Sequence, residues 1–172
     1  MEKNIRTPHS EEALLRAFLD CQRKKVLITV DKSSYNDYLI RGQRDLVSAE
    51  RDLVSGDYHW CRIKAYQALF HLLNALLVKH LGYYSKDHGC VIVSLMSSKI
   101  ITSTVAEKIS LLYTDVLKQS FDKKLFEDID ELRLQRNFAL YKPKAWEDVT
   151  KDDVASELRK IKDNFKVLVM LL

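Results

Sequence analysis

The stretch "YHWCRIKAYQALFHLLNALLVKHLGYY", residues 58–84, contains no proline and a single glycine, and its apolar side chains fall on nearly every side of a helix. A helix that is oily all round must be surrounded by other elements, so this run predicts the central helix of the molecule. Gly56 and Asp57 break the chain before it, and Gly82 supplies a C′ glycine at its end. Elsewhere turn-formers are equally scarce: 4 Gly and 2 Pro in 172 residues. Long helices joined by short connections follow, and the expected fold class is all-α, in one domain.

Ser10 is placed to cap a first helix reaching Lys25, with Glu11 and Glu12 in its positively polarised first turn. "VLITV" follows and reads as an extended connector, because one short strand has nothing to pair with. A second helix starts near Ser33 or Ser34 and runs towards Ser55. It carries the chain's one internal echo, "RDLVS" at 44–48 and again at 51–55, which after two helical turns returns Leu46 with Leu53, and Val47 with Val54, to one side of what reads as an amphipathic bundle helix, two copies being too few for a coiled coil. After the central helix, Ser85 is the expected cap of a short helix over "CVIVSLMSSKI". "TVAEKISLLYTDVLKQS" and "FDKKLFEDIDELRLQRNFALY" have amphipathic patterns, the latter ending near Tyr141 because Pro143 disfavours helical geometry at Lys142. Thr150 caps a closing helix with Asp152 and Asp153 in its first turn.

Cys21, Cys61 and Cys90 are odd in number and widely spaced, which predicts buried thiols rather than a metal knuckle or redox motif. The N-terminal residues carry acids where a signal peptide needs an apolar run, and "KVLVMLL" is too short to span a bilayer, so a cytoplasmic protein without a membrane partner is expected. A formal charge of +4 suits an anionic partner, but acidic and basic residues interleave, and Arg23, Lys24 and Lys25 form the densest basic cluster. A solvated helix end explains that cluster about as well as a nucleic-acid contact does, and is the preferred reading.

Two helices place polar groups on oily faces. Lys64, Gln67, His71 and Asn74 recur at i, i+3, i+7 and i+10 along the central helix and need partners. They either hydrogen-bond to neighbouring segments and specify packing, or line a polar cleft. Arg136 falls within the apolar sector defined by Leu125, Ile129, Leu132, Ala139 and Leu140, with Asn137 on its flank and Tyr141 one turn on. Its guanidinium either snorkels to an edge or meets an anion such as phosphate, whose geometry its fork matches. No glycine-rich phosphate loop, nucleophile elbow or His-Glu-x-x-His is present, and the histidines lack metal-ligand spacing, so neither a cofactor nor a metal is expected.

These two helices also carry a resemblance. Phe70-His71, Gly82 and Lys86-Asp87-His88 match the second-helix region of HEPN domains, the higher-eukaryote and prokaryote nucleotide-binding family. "RNFALY" is similar to that family's Arg-Asn-x-Ala-Asp-Tyr variant: Arg136, Asn137, Ala139 and Tyr141 match, and Leu140 departs where aspartate is usual. The likeness spans roughly Leu39 to Leu172, which divides the single domain, 1–172, into an N-terminal extension and connector (1–38) and a core bundle (39–172).

The resemblance implies an antiparallel helical bundle that forms a homodimer, with Arg136 near the subunit interface. It implies a nucleotide or RNA ligand and a role in a two-gene, toxin–antitoxin-like module with a minimal nucleotidyltransferase partner. Many relatives resemble metal-independent ribonuclease toxins, which pair the arginine with a following histidine. Here Tyr141 stands at the matching distance and no histidine follows His88. A tyrosine of ordinary pKa near 10 is poorly suited to the proton transfers of RNA cleavage, so the sequence leaves catalysis open. As an enzyme, the chain would use Arg136, Asn137 and Tyr141 with His71 as base, and Lys64, Gln67, Asn74 and His88 as ligand-binding residues. A non-catalytic dimeric interaction module is the remaining reading.

Overall fold

The computed structural model describes residues 10–109 and 150–172. Its helices are α1 (Glu11–Arg23), α2 (Tyr35–Ser55), α3 (Tyr58–Leu81), α4 (His88–Ser97) and α5 (Lys151–Val169), and residues 103–109 are also helical. The all-α class and the helical bundle expected from the sequence are what the chain adopts.

α3 is the centre. Eleven aliphatic or aromatic side chains along it, from Ala65 to Val78, are buried, together with Cys61, Arg62 and Asn74. Each of its fully buried leucines stabilises the fold by about 1.5–3 kcal/mol relative to exposure. α2 runs antiparallel along one side and α5 parallel along another, while α4 folds back after β2 and α1 packs on α4. The helix ends where expected: Gly82 adopts φ 71° and donates its N–H to the Val78 carbonyl, a left-handed stop that glycine takes without strain.

α2 and α3 approach closely at Gly42. A Cβ built on Gly42 would lie 2.9 Å from the Ala68 carbonyl oxygen and 3.4 Å from the Phe165 ring. Glycine in mid-helix costs about 1 kcal/mol of propensity, and here it lets the two backbones approach. The caps at Ser10 and Thr150 form as the sequence predicts, each accepting a backbone N–H from three residues on, Ala13 and Asp153 respectively.

Three expectations are corrected. The "VLITV" segment does find a partner: β1 (Leu27–Thr29) pairs antiparallel with β2 (Tyr83–Ser85) in the register Leu27↔Ser85, Ile28↔Tyr84 and Thr29↔Tyr83. The partner strand was hidden in the turn after Gly82, where three residues are too few to read as a strand. The cap of α4 is Asp87, whose carboxylate accepts the Cys90 N–H, and Ser85 is instead buried in β2, accepting the Asp87 N–H on its hydroxyl. Most consequentially, Cys21 and Cys90 form a disulfide that fastens α1 to α4, with Cα atoms 5.8 Å apart. Linear spacing could not show it, because the docking of α1 on α4 brings the two together. Cys61 remains a buried free thiol, as expected.

Candidate functional site

Two members of the polar stripe of α3, Lys64 and His71, face α2, and the seam between the helices has two rungs. His71 Nδ1 lies 2.9 Å from Asp45 Oδ2, and Lys64 Nζ lies 2.7 Å from Asp52 Oδ2. Asp45 and Asp52 are seven residues apart, as are Lys64 and His71, so antiparallel helices match the pairs at two-turn intervals, about 10 Å along the axes. Both aspartates occupy the same position of the "RDLVS" echo. The repeat is thus the complement of the stripe, and its register was the signal by which the two aspartates could have been found.

The chemistry of the His71 rung is directional. A carboxylate only accepts, so Nδ1 carries the hydrogen and donates it to Asp45, which places the neutral imidazole's basic lone pair on Nε2. A histidine oriented by a carboxylate is suited to proton transfer. Gln67 is half-buried on the same stripe.

Asn74 turns to a different task. It is fully buried; its Oδ1 accepts the Ser85 N–H at 3.0 Å, and its Nδ2 donates to the Phe70 carbonyl at 3.3 Å. It therefore anchors β2 to α3. Asn74→Ala would leave the buried Ser85 amide without its acceptor and is expected to destabilise the fold by about 1–3 kcal/mol, with hydrogen exchange at 83–85 accelerating first. A denaturation midpoint equal to that of the wild type would refute this role.

His88 belongs to an aromatic cluster. Its Nε2 is 2.7 Å from the Tyr66 hydroxyl, and its ring centroid is 4.0 Å from that of Phe70. The Phe70 ring also lies 6.3 Å from that of His71. The predicted ligand-binding residues thus divide over the α2–α3 seam (Lys64, His71), the hairpin anchor (Asn74) and the α3–α4 junction (His88). Arg136, Asn137 and Tyr141 lie outside the described residues.

A buried cation is present in the first turns of α3. The Arg62 side chain is 1% exposed, and its Nε and Nη2 donate to Glu157 of α5 at 2.7 and 2.9 Å, a two-pronged pair. Close to it, burial pushes the Cys61 thiol up to about 11, with the negative charges of Asp52 and Glu157 adding to the effect. That thiol stays protonated at neutral pH and is a poor nucleophile. Among the described residues, no group of three His, Cys, Asp or Glu side chains could hold a metal ion, and no helix is long and apolar enough to cross a membrane.

Bundle architecture, the polar seam and the Phe70-His71 and Lys86-Asp87-His88 segments coincide with one family match: the HEPN domain model aligns with residues 35–166. The chain belongs to the HEPN family. No curated protein matches it. The HEPN match begins at Tyr35, the first residue of α2, and ends within α5, so it takes in both rungs of the seam, the Arg62–Glu157 pair and the Arg136–Tyr141 motif. α1, β1 and the Cys21 half of the disulfide precede it. At the level of the family, HEPN membership supports a nucleotide- or RNA-related function.

Proposed function

We propose that the protein is a nucleotide- or RNA-associated HEPN component of a two-gene, toxin–antitoxin-like module, acting as a homodimer with a minimal nucleotidyltransferase partner. The observation that carries the reading is the HEPN match over 35–166, which encloses the Arg136–Tyr141 motif. In this reading the Arg136 guanidinium holds a phosphate through paired N–H donors, Asn137 orients it, and Lys64, Gln67 and His88 belong to the ligand-binding region, while the buried Asn74 serves only to anchor β2. Titrating labelled single-stranded RNA and nucleoside triphosphates into wild type and Arg136→Ala tests the anion site. Loss of one charge-assisted contact, about 1.5–3 kcal/mol, should weaken binding at least about tenfold. Absence of binding by both proteins would remove the site. A nucleotidyltransferase encoded by the adjacent reading frame should co-elute with the chain, and an adjacent product of another class would sink the pairing.

A second reading, a metal-independent endoribonuclease, is favoured by the Asp45–His71 geometry. The motif lacks its histidine, and His71 is an imidazole already oriented to present Nε2 as base. Arg136 would stabilise the pentavalent phosphate, with Asn137 and Tyr141 beside it. Cleavage should then survive chelator and fall by at least about a hundredfold in either Arg136→Ala or His71→Ala. A wild-type rate in His71→Ala eliminates this reading while leaving the binding reading intact.

A further inference from the structure

The charges of α2 are sorted by side. From Arg41 onward its acids are Asp45, Glu50 and Asp52, and each is paired inward or sideways: Asp45 with His71, Asp52 with Lys64, and Glu50 with Lys162 of α5. Its arginines, Arg41, Arg44 and Arg51, are all exposed, and among the described residues none makes an ion pair. Beyond its first turn, where Asp37 is exposed, the outer face of α2 therefore carries positive charge that its own acids do not offset.

That face is also apolar at intervals. Ile40, Val47 and Val54 are 36%, 48% and 88% exposed and recur every seven residues, so they line up along one ridge with a drift of only about 20° per step. Arg44 and Arg51 each lie one turn beyond an apolar residue. The result is an alternating Ile-Arg-Val-Arg-Val strip about 21 Å long. The "RDLVS" echo writes it twice: aspartate to α3, leucine against the core, arginine and valine outward. Packing among the described residues accounts for the aspartates and leucines but not for the outward pairs.

We propose that this ridge docks an acidic amphipathic helix of a partner protein, about four turns long, with apolar residues at heptad spacing and glutamates or aspartates flanking them. The apolar residues would seat against Ile40, Val47 and Val54, and the flanking carboxylates would meet Arg44 and Arg51, as flanking charges do in paired helices. Charge complementarity excludes the simplest alternative. A second copy laid on the same face across a two-fold axis would set arginines against arginines. RNA fits the charge but not the strip, since three aliphatic side chains offer neither a stacking surface nor hydrogen bonds to bases. The proposal does not rest on the anion site at Arg136.

The test uses the full chain and a fluorescein-labelled helical peptide of about 20 residues, with leucines at heptad spacing and glutamates flanking them. A counter-peptide carries lysine at every glutamate position. Wild type should bind the acidic peptide saturably and at least about tenfold more tightly than the lysine peptide. The double variant Arg44→Glu/Arg51→Glu should reverse that preference, and Val47→Ser should weaken both complexes. All three positions are exposed, so circular dichroism should show an unchanged fold. Equal binding of the two peptides, no binding of the acidic one, or a preference unaltered in the double variant would overturn the proposal. Labelled single-stranded RNA that binds wild type but not the double variant, with the acidic peptide inert, would overturn it in favour of a nucleic-acid face.

Discussion

Glu157→Ala is expected to destabilise the protein by about 3–5 kcal/mol, the range for breaking a buried ion pair from one side. Arg62 is almost wholly enclosed, and Glu157 accepts two of its N–H groups. With the carboxylate gone, the guanidinium keeps its desolvation cost and loses the charge that offsets it. The pair itself need not be a large net stabiliser. Arg62→Met/Glu157→Leu, which removes both charges and retains comparable volume, should recover most of the loss and fall within about 1–2 kcal/mol of wild type. Urea denaturation of wild type, Glu157→Ala and the double variant gives the answer. A cost below about 1 kcal/mol for Glu157→Ala would mean that the interior around Arg62 is wetter than its burial implies. The Cys61 thiol supplies a second readout. Glu157 contributes to its raised pKa and Arg62 opposes that rise, so Glu157→Ala should lower it.

The Arg62 pair also marks the limit of what could be read from the chain alone. The rule that a cation on an oily face needs an anion was sound, but it singled out Arg136 because that residue interrupts an otherwise clear apolar sector. Arg62 sits near the start of a helix that is apolar almost all round, where no sector contrasts with it, and its partner lies 95 residues further on. Local signals fared well for a physical reason. The central helix, the Gly82 stop and the caps at Ser10 and Thr150 depend on neighbours within four residues, and all are present. Pairings across the fold depend on how helices dock, so β1 with β2 and Cys21 with Cys90 were beyond linear pattern. The stripe on α3 lies between these cases. Its four polar positions follow from helical periodicity, while the aspartates that answer two of them follow from the seven-residue register of the echo only when it is combined with antiparallel packing of α2 on α3.

The same division explains the echo in α2. Read as one amphipathic face, "RDLVS" groups leucine and valine together, but they are adjacent in sequence and therefore about 100° apart around the helix. Leu46 and Leu53 pack against the core, whereas Val47 and Val54 point outward with Arg44 and Arg51. A repeat that serves two faces at once couples the position of the Asp45–His71 rung to that of the outer ridge, since both ride on one rigid helix. A partner seated on the ridge would act on the seam only through the packing of α2 against α3. At Gly42 that packing is too close to admit even a methyl group without a shift.

Reduction of the Cys21–Cys90 bond is expected to release α1 while the α2–α3–α5 core stays folded. The bond closes a separation of 69 residues, and loss of such a constraint typically costs about 2–4 kcal/mol. Against that, α1 buries little of its own: Leu14 and Cys21 are its buried residues, and Leu15 and Leu19 are exposed. Burial of one leucine contributes about 1.5–3 kcal/mol, and a helix of 13 residues is marginal in water without tertiary support. The two contributions are comparable, so removing the covalent one should tip α1 into an undocked, frayed state well below the free energy of global unfolding. α3 should be indifferent, because its contacts with α2 and α5 do not involve α1. Hydrogen exchange with and without dithiothreitol distinguishes the cases. Amides of 11–23 should lose protection on reduction, those of 66–78 should keep it, and Cys21→Ser should reproduce the reduced pattern and no longer respond to the reductant. Undiminished protection across 11–23 after reduction would show that packing alone holds α1 to α4, and that the disulfide is incidental to its docking.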